Sequence, residues 1–269
     1  MHLRRDGLFI NAVKEFKKAG GTHFVLCQYP MPSKVIKDKS YKNCYIETLK
    51  MADEIRKHVD VTVYCTVGPY PVDYLTLKEF FGRTKTIDIM KKGMDDAANL
   101  YAEHLIIGIG EIGRPHFVVD EQTMSDSNEI LRYGMLKACD VGCPVILHTE
   151  TTTPIQCKQL CEMGKEVGLP CDKIVKHFSP SLITKDENYG LMPSVLASKK
   201  NIISALSKGS RFLMETDYID DLKRPGAVLG PATVPKLTKK LLEHELMTQS
   251  QAYEIHVKNP QDTYSISIE

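Results

Sequence analysis

The sequence predicts an α/β fold, specifically a single (β/α)8 TIM barrel over residues 1–269 whose first strand is short or missing. Three observations lead to this prediction. Short apolar, β-rich runs alternate with helical stretches, which is the pattern of parallel strands joined by helices. The length of 269 residues is about that of one such barrel. No repeat, linker or low-complexity segment divides the sequence.

Seven runs have the composition of strands, at residues 22–28, 60–67, 104–110, 144–148, 173–177, 191–197 and 211–216. Helices are expected at residues 8–19, 41–58, 87–102, 128–141, 154–167, 199–208 and 235–256, the last one interrupted at 247–250. Pro154 suits the first turn of its helix because a proline there loses no intrahelical hydrogen bond. A closed barrel needs eight strands. The missing strand belongs before the first helix, where only Met1-His2-Leu3 remains.

The overall composition is that of a globular protein. Hydrophobic residues make up 42% and charged residues 26% of the chain. The 35 Lys and Arg residues against 34 Asp and Glu residues give a net charge of +1. This balance offers no bulk electrostatic reason to expect nucleic-acid or membrane binding. Because no signal peptide or long apolar span is recognisable, we expect a cytoplasmic protein without membrane partners.

Four residues of metal-binding type stand at the downstream ends of apolar runs: Glu111, His148, His177 and Asp217. In a parallel α/β barrel the carboxyl ends of the strands share one rim, where sites form. Imidazole and carboxylate groups suit divalent zinc, manganese or iron, and a bridging carboxylate can hold two ions close together. The four residues together predict one metal site. Taken alone, each histidine is more often structural than a metal ligand, and Glu111 or Asp217 could be a helix cap or part of an ion pair.

Two residues beyond Glu111 are candidates for substrate binding. Arg114 offers a bidentate guanidinium to a phosphate or carboxylate, and His116 follows it in the same loop. A solvated loop arginine is the competing interpretation.

Several motifs in sequence order resemble the TatD-type metal-dependent hydrolases, a branch of the amidohydrolase-like TIM barrels. The motifs are Gly110-Glu111-Ile112-Gly113, Leu147-His148-Thr149, Lys176-His177-Phe178-Ser179, Met214-Glu215-Thr216-Asp217-Tyr218 and the closing Asn259-Pro260 with Tyr264-Ser265-Ile266. The resemblance covers nearly the whole chain and is that of a divergent, archaeal-looking member.

The resemblance implies a ligand set of five residues for one or two divalent ions, zinc, manganese or magnesium. In such an arrangement Glu111 bridges two ions, His148 and His177 hold one, and His2 with Asp217 holds the other. Asp217 is then the candidate catalytic general base, because a carboxylate beside a bound water can take its proton.

The sequence departs from the family at two places. The family opens with an Asp-x-His-x-His strand, and only His2 has a counterpart here. We interpret this as a start that lies downstream of the true one, the alternative being a lost ligand. Arg114-Pro115-His116 stands where the family has an acidic residue, which leaves the substrate class open.

The functional prediction is a divalent-metal-dependent hydrolase. Its metal-activated water is expected to attack a phosphodiester or a related ester bond. The phosphodiester belongs either to a nucleic acid, which would be DNase-like activity, or to a small molecule. One alternative is hydrolysis of a carbonyl ester, lactone or amide. The other is a catalytically impaired barrel that serves as a binding module. A shortened first strand exposes neighbouring strand edges, so the oligomeric state stays open.

Overall fold

The computed structural model describes residues 1–225 and 228–268, and its centre is a curled parallel sheet of seven strands. The strands are β1 His23–Cys27, β2 Thr62–Val67, β3 Gly108–Gly113, β4 Val145–His148, β5 Ile174–Ser179, β6 Met192–Leu196 and β7 Leu213–Glu215. Each strand pairs with the next one in sequence, so their order in the sheet is consecutive. Helices connect successive strands, as expected for a (β/α)8 architecture with a short first strand.

Twelve helices accompany the sheet in the described part of the chain. They are α1 Ile10–Lys18, α2 Pro32–Asp38, α3 Lys42–His58, α4 Asp73–Phe81, α5 Arg83–Ala102, α6 Glu121–Val141, α7 Pro154–Glu166, α8 Lys185–Asn188, α9 Lys199–Leu206, α10 Thr233–Glu243, α11 Gln249–Tyr253 and α12 Asn259–Tyr264. The longer ones, such as α3, α5 and α6, pack a buried face against the sheet. A 3-10 turn at Cys171–Lys173 and a π-helical turn at Glu254–Lys258 complete the connections. No helix within the described ranges has both the length and the apolarity to cross a lipid bilayer.

The Met1–Leu3 stub lies between β1 and the chain that follows β7. The Met1 amino group donates to the Val25 carbonyl and the Cys27 N–H donates to the Met1 carbonyl, both at 2.9 Å. On the other side, the His2 N–H donates to the Tyr218 backbone carbonyl at 2.7 Å, and His2 forms a parallel β-bridge with Ile219. The three residues therefore act as the carboxyl end of the first strand and connect the two sides of the sheet at the rim.

The main apolar core lies between β1–β5 and the helices α1, α3, α5, α6 and α7. Its fully buried side chains include Val67, Met94, Ile109, Leu131 and Leu147. Burial of this kind supplies most of the stabilisation of such a domain, about 25 cal/mol per Å² of apolar surface. The packing of the helices against the outer face of the sheet fixes the positions of the strands, so their carboxyl ends form a rigid rim.

Candidate metal centre

The five predicted metal ligands meet at the carboxyl-end rim. Glu111 lies within β3, His148 ends β4, His177 lies within β5, Asp217 follows β7, and His2 comes from the stub. Their side chains are largely buried, with exposed fractions between 7% and 15%. Because β3, β4 and β5 are adjacent parallel strands in register, residues far apart in sequence become neighbours.

The distances between these side chains fit ligands around a metal better than direct hydrogen bonds. Glu111 Oε1 lies 3.4 Å from His2 Nε2 and 3.6 Å from His177 Nε2, while Oε2 lies 3.4 Å from His148 Nδ1. Asp217 Oδ1 lies 3.4 Å from His2 Nε2. Direct N–H···O bonds cluster near about 2.9 Å. Tetrahedral ligands at about 2.1 Å from zinc are separated by roughly 3.4 Å.

One buried atom in the site is consistent with the same interpretation. Nδ1 of His148 is shielded from solvent and makes no hydrogen bond within the described residues. A buried polar atom without a partner is costly, and such atoms concentrate at functional sites. Since this nitrogen faces the Glu111 carboxylate, the donor set of Glu111, His148 and His177 suits a divalent ion.

The charges at the site are strongly coupled even without a metal. Burial lowers the pKa of His177, but Glu111, Glu215 and Asp217 outweigh burial and raise the pKa to about 9. Burial raises the pKa of Glu111, but His177, His2 and His148 outweigh it and hold the pKa well below its usual range. The Glu111 carboxylate is therefore stabilised in its ionised form by the surrounding imidazoles, and a carboxylate is the form that binds a metal ion.

Glu215 orients His177 towards Glu111. Its Oε1 lies 2.9 Å from His177 Nδ1 and accepts the Phe178 N–H at 2.9 Å, while Oε2 accepts the Ser194 hydroxyl. A carboxylate on the far nitrogen fixes the ring and the tautomer, so Nε2 is presented to the metal position. No role was predicted for Glu215. The available signal was its place two residues before Asp217, which puts both side chains on one face of an extended chain.

The close approach of β3 and β4 depends on Gly113. Gly113 has φ +144°, and a Cβ added there would lie 2.1 Å from the His148 carbonyl oxygen. The same carbonyl accepts the Arg114 N–H at 2.9 Å. A side chain at position 113 would therefore separate the strand ends that carry Glu111 and His148.

Two residues surround the outer nitrogen of His148. The Nδ1 atom of His116 lies 2.9 Å from His148 Nε2, and the Tyr70 hydroxyl lies 3.2 Å from it. Partial burial and the neighbouring His148 lower the pKa of His116, so its ring is neutral at pH 7. His116 is exposed at the mouth of the site, where a substrate can reach it.

Arg114 lies away from this mouth. Its side chain is buried, pairs with Glu150 and contacts Asn128 Oδ1 at 3.4 Å. This ion pair connects the chain after β3 to the loop that follows His148. The side chain thus contacts the support of the metal centre, whereas His116 lines the pocket.

A cavity of about 500 Å³ opens above the metal ligands. Besides the ligands themselves, Tyr29, Tyr70, His116, Phe178 and Arg224 line it. Asp217 and Phe178 both have left-handed backbones, with φ of 47° and 51°. Non-glycine residues in this conformation carry a local energetic cost and cluster at functional sites. The cavity combines aromatic faces with polar groups beside the metal position.

A model of the TatD related DNase family matches residues 1–265. The chain belongs to this TatD-related family. A relative from Methanocaldococcus jannaschii, the uncharacterized protein MJ1127, is 41% identical over 216 residues, which are 80% of this chain and 77% of that protein. Family membership agrees with the motifs around Glu111, His148, His177 and Asp217.

Solved structures with the same fold are phosphotriesterase-like and amidohydrolase barrels. The phosphotriesterase homology protein from Escherichia coli, solved with phosphate in its active site, has a TM-score of 0.62 at 13% identity, over 95% of this chain and 88% of that one. An organophosphorus hydrolase variant from Deinococcus radiodurans has a TM-score of 0.62 at 14% sequence identity, and the match covers 95% of this chain and 82% of that one. An uncharacterized amidohydrolase from Saccharomyces cerevisiae has a TM-score of 0.55 at 12% sequence identity, and the match covers 90% of this chain and 75% of that one. These likenesses establish the TIM-barrel fold.

Proposed function

We propose that this protein is a divalent-metal-dependent hydrolase that cleaves a phosphodiester, in nucleic acid or in a small molecule, or a related ester. The observation that carries the proposal is the convergence of five side chains on the rim. His2, His148 and His177 each lie 3.4–3.6 Å from Glu111, and Asp217 lies 3.4 Å from His2. Membership of the TatD-related family and a fold shared with phosphotriesterase-like hydrolases support the same reaction class.

The ligands divide into two groups that share Glu111. His148 and His177 would hold one ion with Glu111, while His2 and Asp217, which lie 3.4 Å apart, would hold the other. A bound divalent ion lowers the pKa of water to about 7 and polarises the oxygen of the bond under attack. Zinc, manganese and magnesium are the candidate ions, and the donor set alone favours zinc or manganese over magnesium.

Proton transfer is assigned to Asp217. Its carboxylate lies at the rim beside His2 and lines the cavity, so it can take a proton from an attacking water and return it to the leaving oxygen. His116 and Arg224 face the same cavity and can donate to oxygens of an anionic substrate. An anionic phosphodiester matches these donors better than a neutral carbonyl ester, lactone or amide does.

The proposal is tested with purified protein loaded with zinc or manganese. Bis(p-nitrophenyl) phosphate, single-stranded DNA, p-nitrophenyl acetate and a lactone are assayed side by side. We expect turnover of the phosphodiesters, with a loss in kcat of at least about a hundredfold in Asp217→Asn. Asp60→Asn is the matched control, because Asp60 is fully exposed and pairs with Lys17.

Three outcomes would change the assignment. Unchanged turnover in Asp217→Asn would remove Asp217 as the base. Turnover confined to the acetate or the lactone would move the substrate to the carbonyl class. Bound metal without turnover of any substrate would favour the impaired barrel as a binding module.

A further inference from the structure

A cysteine lies beside the metal position at the end of β1. Cys27, His2 and Glu111 are all buried, with exposed fractions of 7–8%, and their donor atoms lie within 4.8 Å of one another. A sulfur and a nitrogen bound to one tetrahedral zinc ion lie roughly 3.6 Å apart, a separation that falls within this limit. The sequence places Cys27 in an apolar run, where a packed thiol is the ordinary interpretation.

The hydrogen bonds of the stub fix this proximity. The Cys27 N–H donates to the Met1 carbonyl at 2.9 Å, so Cys27 and His2 lie on adjacent strand ends at the same level. Both side chains line one cavity together with Glu111 and Asp217. The Cys27 thiol makes a long hydrogen bond to the Gly110 carbonyl, at 3.9 Å, so a metal ion would offer the sulfur a stronger partner.

We propose that Cys27 is a metal ligand, and that His2, Cys27, Glu111 and Asp217 form a sulfur-containing half of the centre that selects zinc over magnesium and manganese. The inference rests on the proposed metal-dependent function and refines it. Thiolate is a soft donor that suits zinc, cobalt and iron, whereas magnesium and manganese prefer oxygen ligands. The Met1–Leu3 stub contributes one histidine to this half, and Cys27 would supply a fourth donor, the number that a structural zinc ion usually takes.

The test uses cobalt(II) as a spectroscopic probe of the metal-free protein, with zinc competition for affinity. A cobalt-bound thiolate gives a near-ultraviolet sulfur-to-metal charge-transfer band, which oxygen and nitrogen ligands do not give. We expect this band in the wild type and its loss in Cys27→Ala. Zinc affinity should fall by at least about tenfold in that variant. Loss of a group that only supports a metal ligand already lowers metal affinity by about tenfold or more, so loss of a ligand itself should cost at least as much.

Cys65→Ala is the matched control, since Cys65 is also a buried thiol, lies on the neighbouring strand β2 and is outside both groups of candidate ligands. It should keep the band and the affinity. Cys27→Ser replaces Cys27→Ala if the alanine variant does not fold, and the wild-type spectrum is informative by itself. Cobalt binding without the band, or a band that persists without Cys27, would overturn this inference and leave the proposed function intact. A wild type that binds neither cobalt nor zinc would overturn both.

Discussion

Glu215 connects the metal centre to the barrel wall at the scale of single residues. Its carboxylate holds His177 Nδ1 at 2.9 Å while also accepting the Phe178 N–H and the Ser194 hydroxyl. The histidine ring therefore has one orientation before any metal arrives. Pre-orientation of this kind reduces the entropy lost on binding, so metal affinity should depend on a residue that does not contact the metal position.

We expect Glu215→Gln to lower zinc affinity by about 10–100-fold. The amide keeps the size of the side chain but removes the negative charge that stabilises the histidine. Competition with a chromophoric chelator measures the affinity. Glu243→Gln is the control, because Glu243 is exposed and pairs only loosely with Lys239 at 3.8 Å. Equal affinities of the two variants would contradict the orienting role.

Which side chains meet could be predicted only in part from the sequence. Glu111, His148, His177 and Asp217 were recognisable because each stands at the end of an apolar run, and strand ends of parallel strands share a rim. The orientation of Arg114 was not predictable, because it depends on the loop that brings Glu150 beside it.

At the scale of elements, the buried Asp126 connects three helices. Arg83 at the start of α5 donates to it at 2.7 Å, Gln122 donates at 2.8 Å from within α6, and the Tyr74 hydroxyl donates from α4. Burial raises the pKa of Asp126, but these partners outweigh burial and lower the pKa to about 2. The carboxylate therefore acts as a charged connector at neutral pH.

Asp126→Ala should destabilise the protein by about 2 kcal/mol. The cost comes mainly from the buried Tyr74 hydroxyl left without its acceptor, since Arg83 is half-exposed and regains solvent. Urea unfolding at pH 7 measures it. Asp140→Ala provides the comparison, because the Asp140–Lys137 pair lies on the surface. A loss no larger than that of Asp140→Ala would show that Asp126 contributes little.

A second carboxyl, Asp73 in the first turn of α4, makes stability depend on pH. Asp73 is buried, and burial raises its pKa to about 7, although the Tyr41 hydroxyl donates to it at 3.1 Å. The folded protein keeps this proton up to about pH 7, whereas an unfolded aspartate releases it near pH 3.9. The folded state binds more protons in this window, so this contribution to stability is full below about pH 4 and declines as the pH rises through 7.

Asp73→Asn removes the titrating group and retains an acceptor for Tyr41. We expect the variant to gain stability relative to the wild type as the pH increases from 5 to 8, by a few kcal/mol at most. Urea unfolding of both proteins across this range is the measurement. A constant difference between them would contradict the linkage.

The observed helix and strand boundaries differ from the predicted ones where tertiary contacts, rather than the local sequence pattern, determine the structure. The third strand was predicted at 104–110 but runs over Gly108–Gly113, because His104 turns the chain with φ 58° and Leu105 is exposed. The helices α2 and α4 were not predicted. Helices of seven and nine residues are marginal alone, and buried Val35 and Leu77 stabilise them by packing.

At the scale of the whole molecule, the consecutive strand order creates the site. The carboxyl ends of all the parallel strands lie at the same rim. Side chains from positions as far apart in sequence as 2 and 217 therefore form one buried cluster. This part of the fold was predictable, because alternation of strands and helices almost dictates parallel order and right-handed connections. The position of the Met1–Leu3 stub along its neighbouring strands was not predictable, because it is set by hydrogen bonds to β1 and to the chain after β7.

The charge distribution of the whole molecule also bears on its substrate. A net charge of +1 provides little long-range attraction for a polyanion, so under the proposed function groups at the rim would supply the recognition. His116 and Arg224 at the cavity are the groups available for this, and aromatic Tyr29, Tyr70 and Phe178 flank them. Under the proposed function, a substrate with an anionic centre and a planar group would match these side chains.

The metal content of the purified protein, measured by elemental mass spectrometry after reconstitution with zinc or manganese, tests the central claim most directly. The wild type should retain about one to two ions per chain, the number that one shared carboxylate can bridge. The His148→Ala/His177→Ala double variant should lose the ion held by these residues while remaining folded by circular dichroism. Equal metal contents in the two proteins, or no metal in either, would contradict a metal centre at this rim.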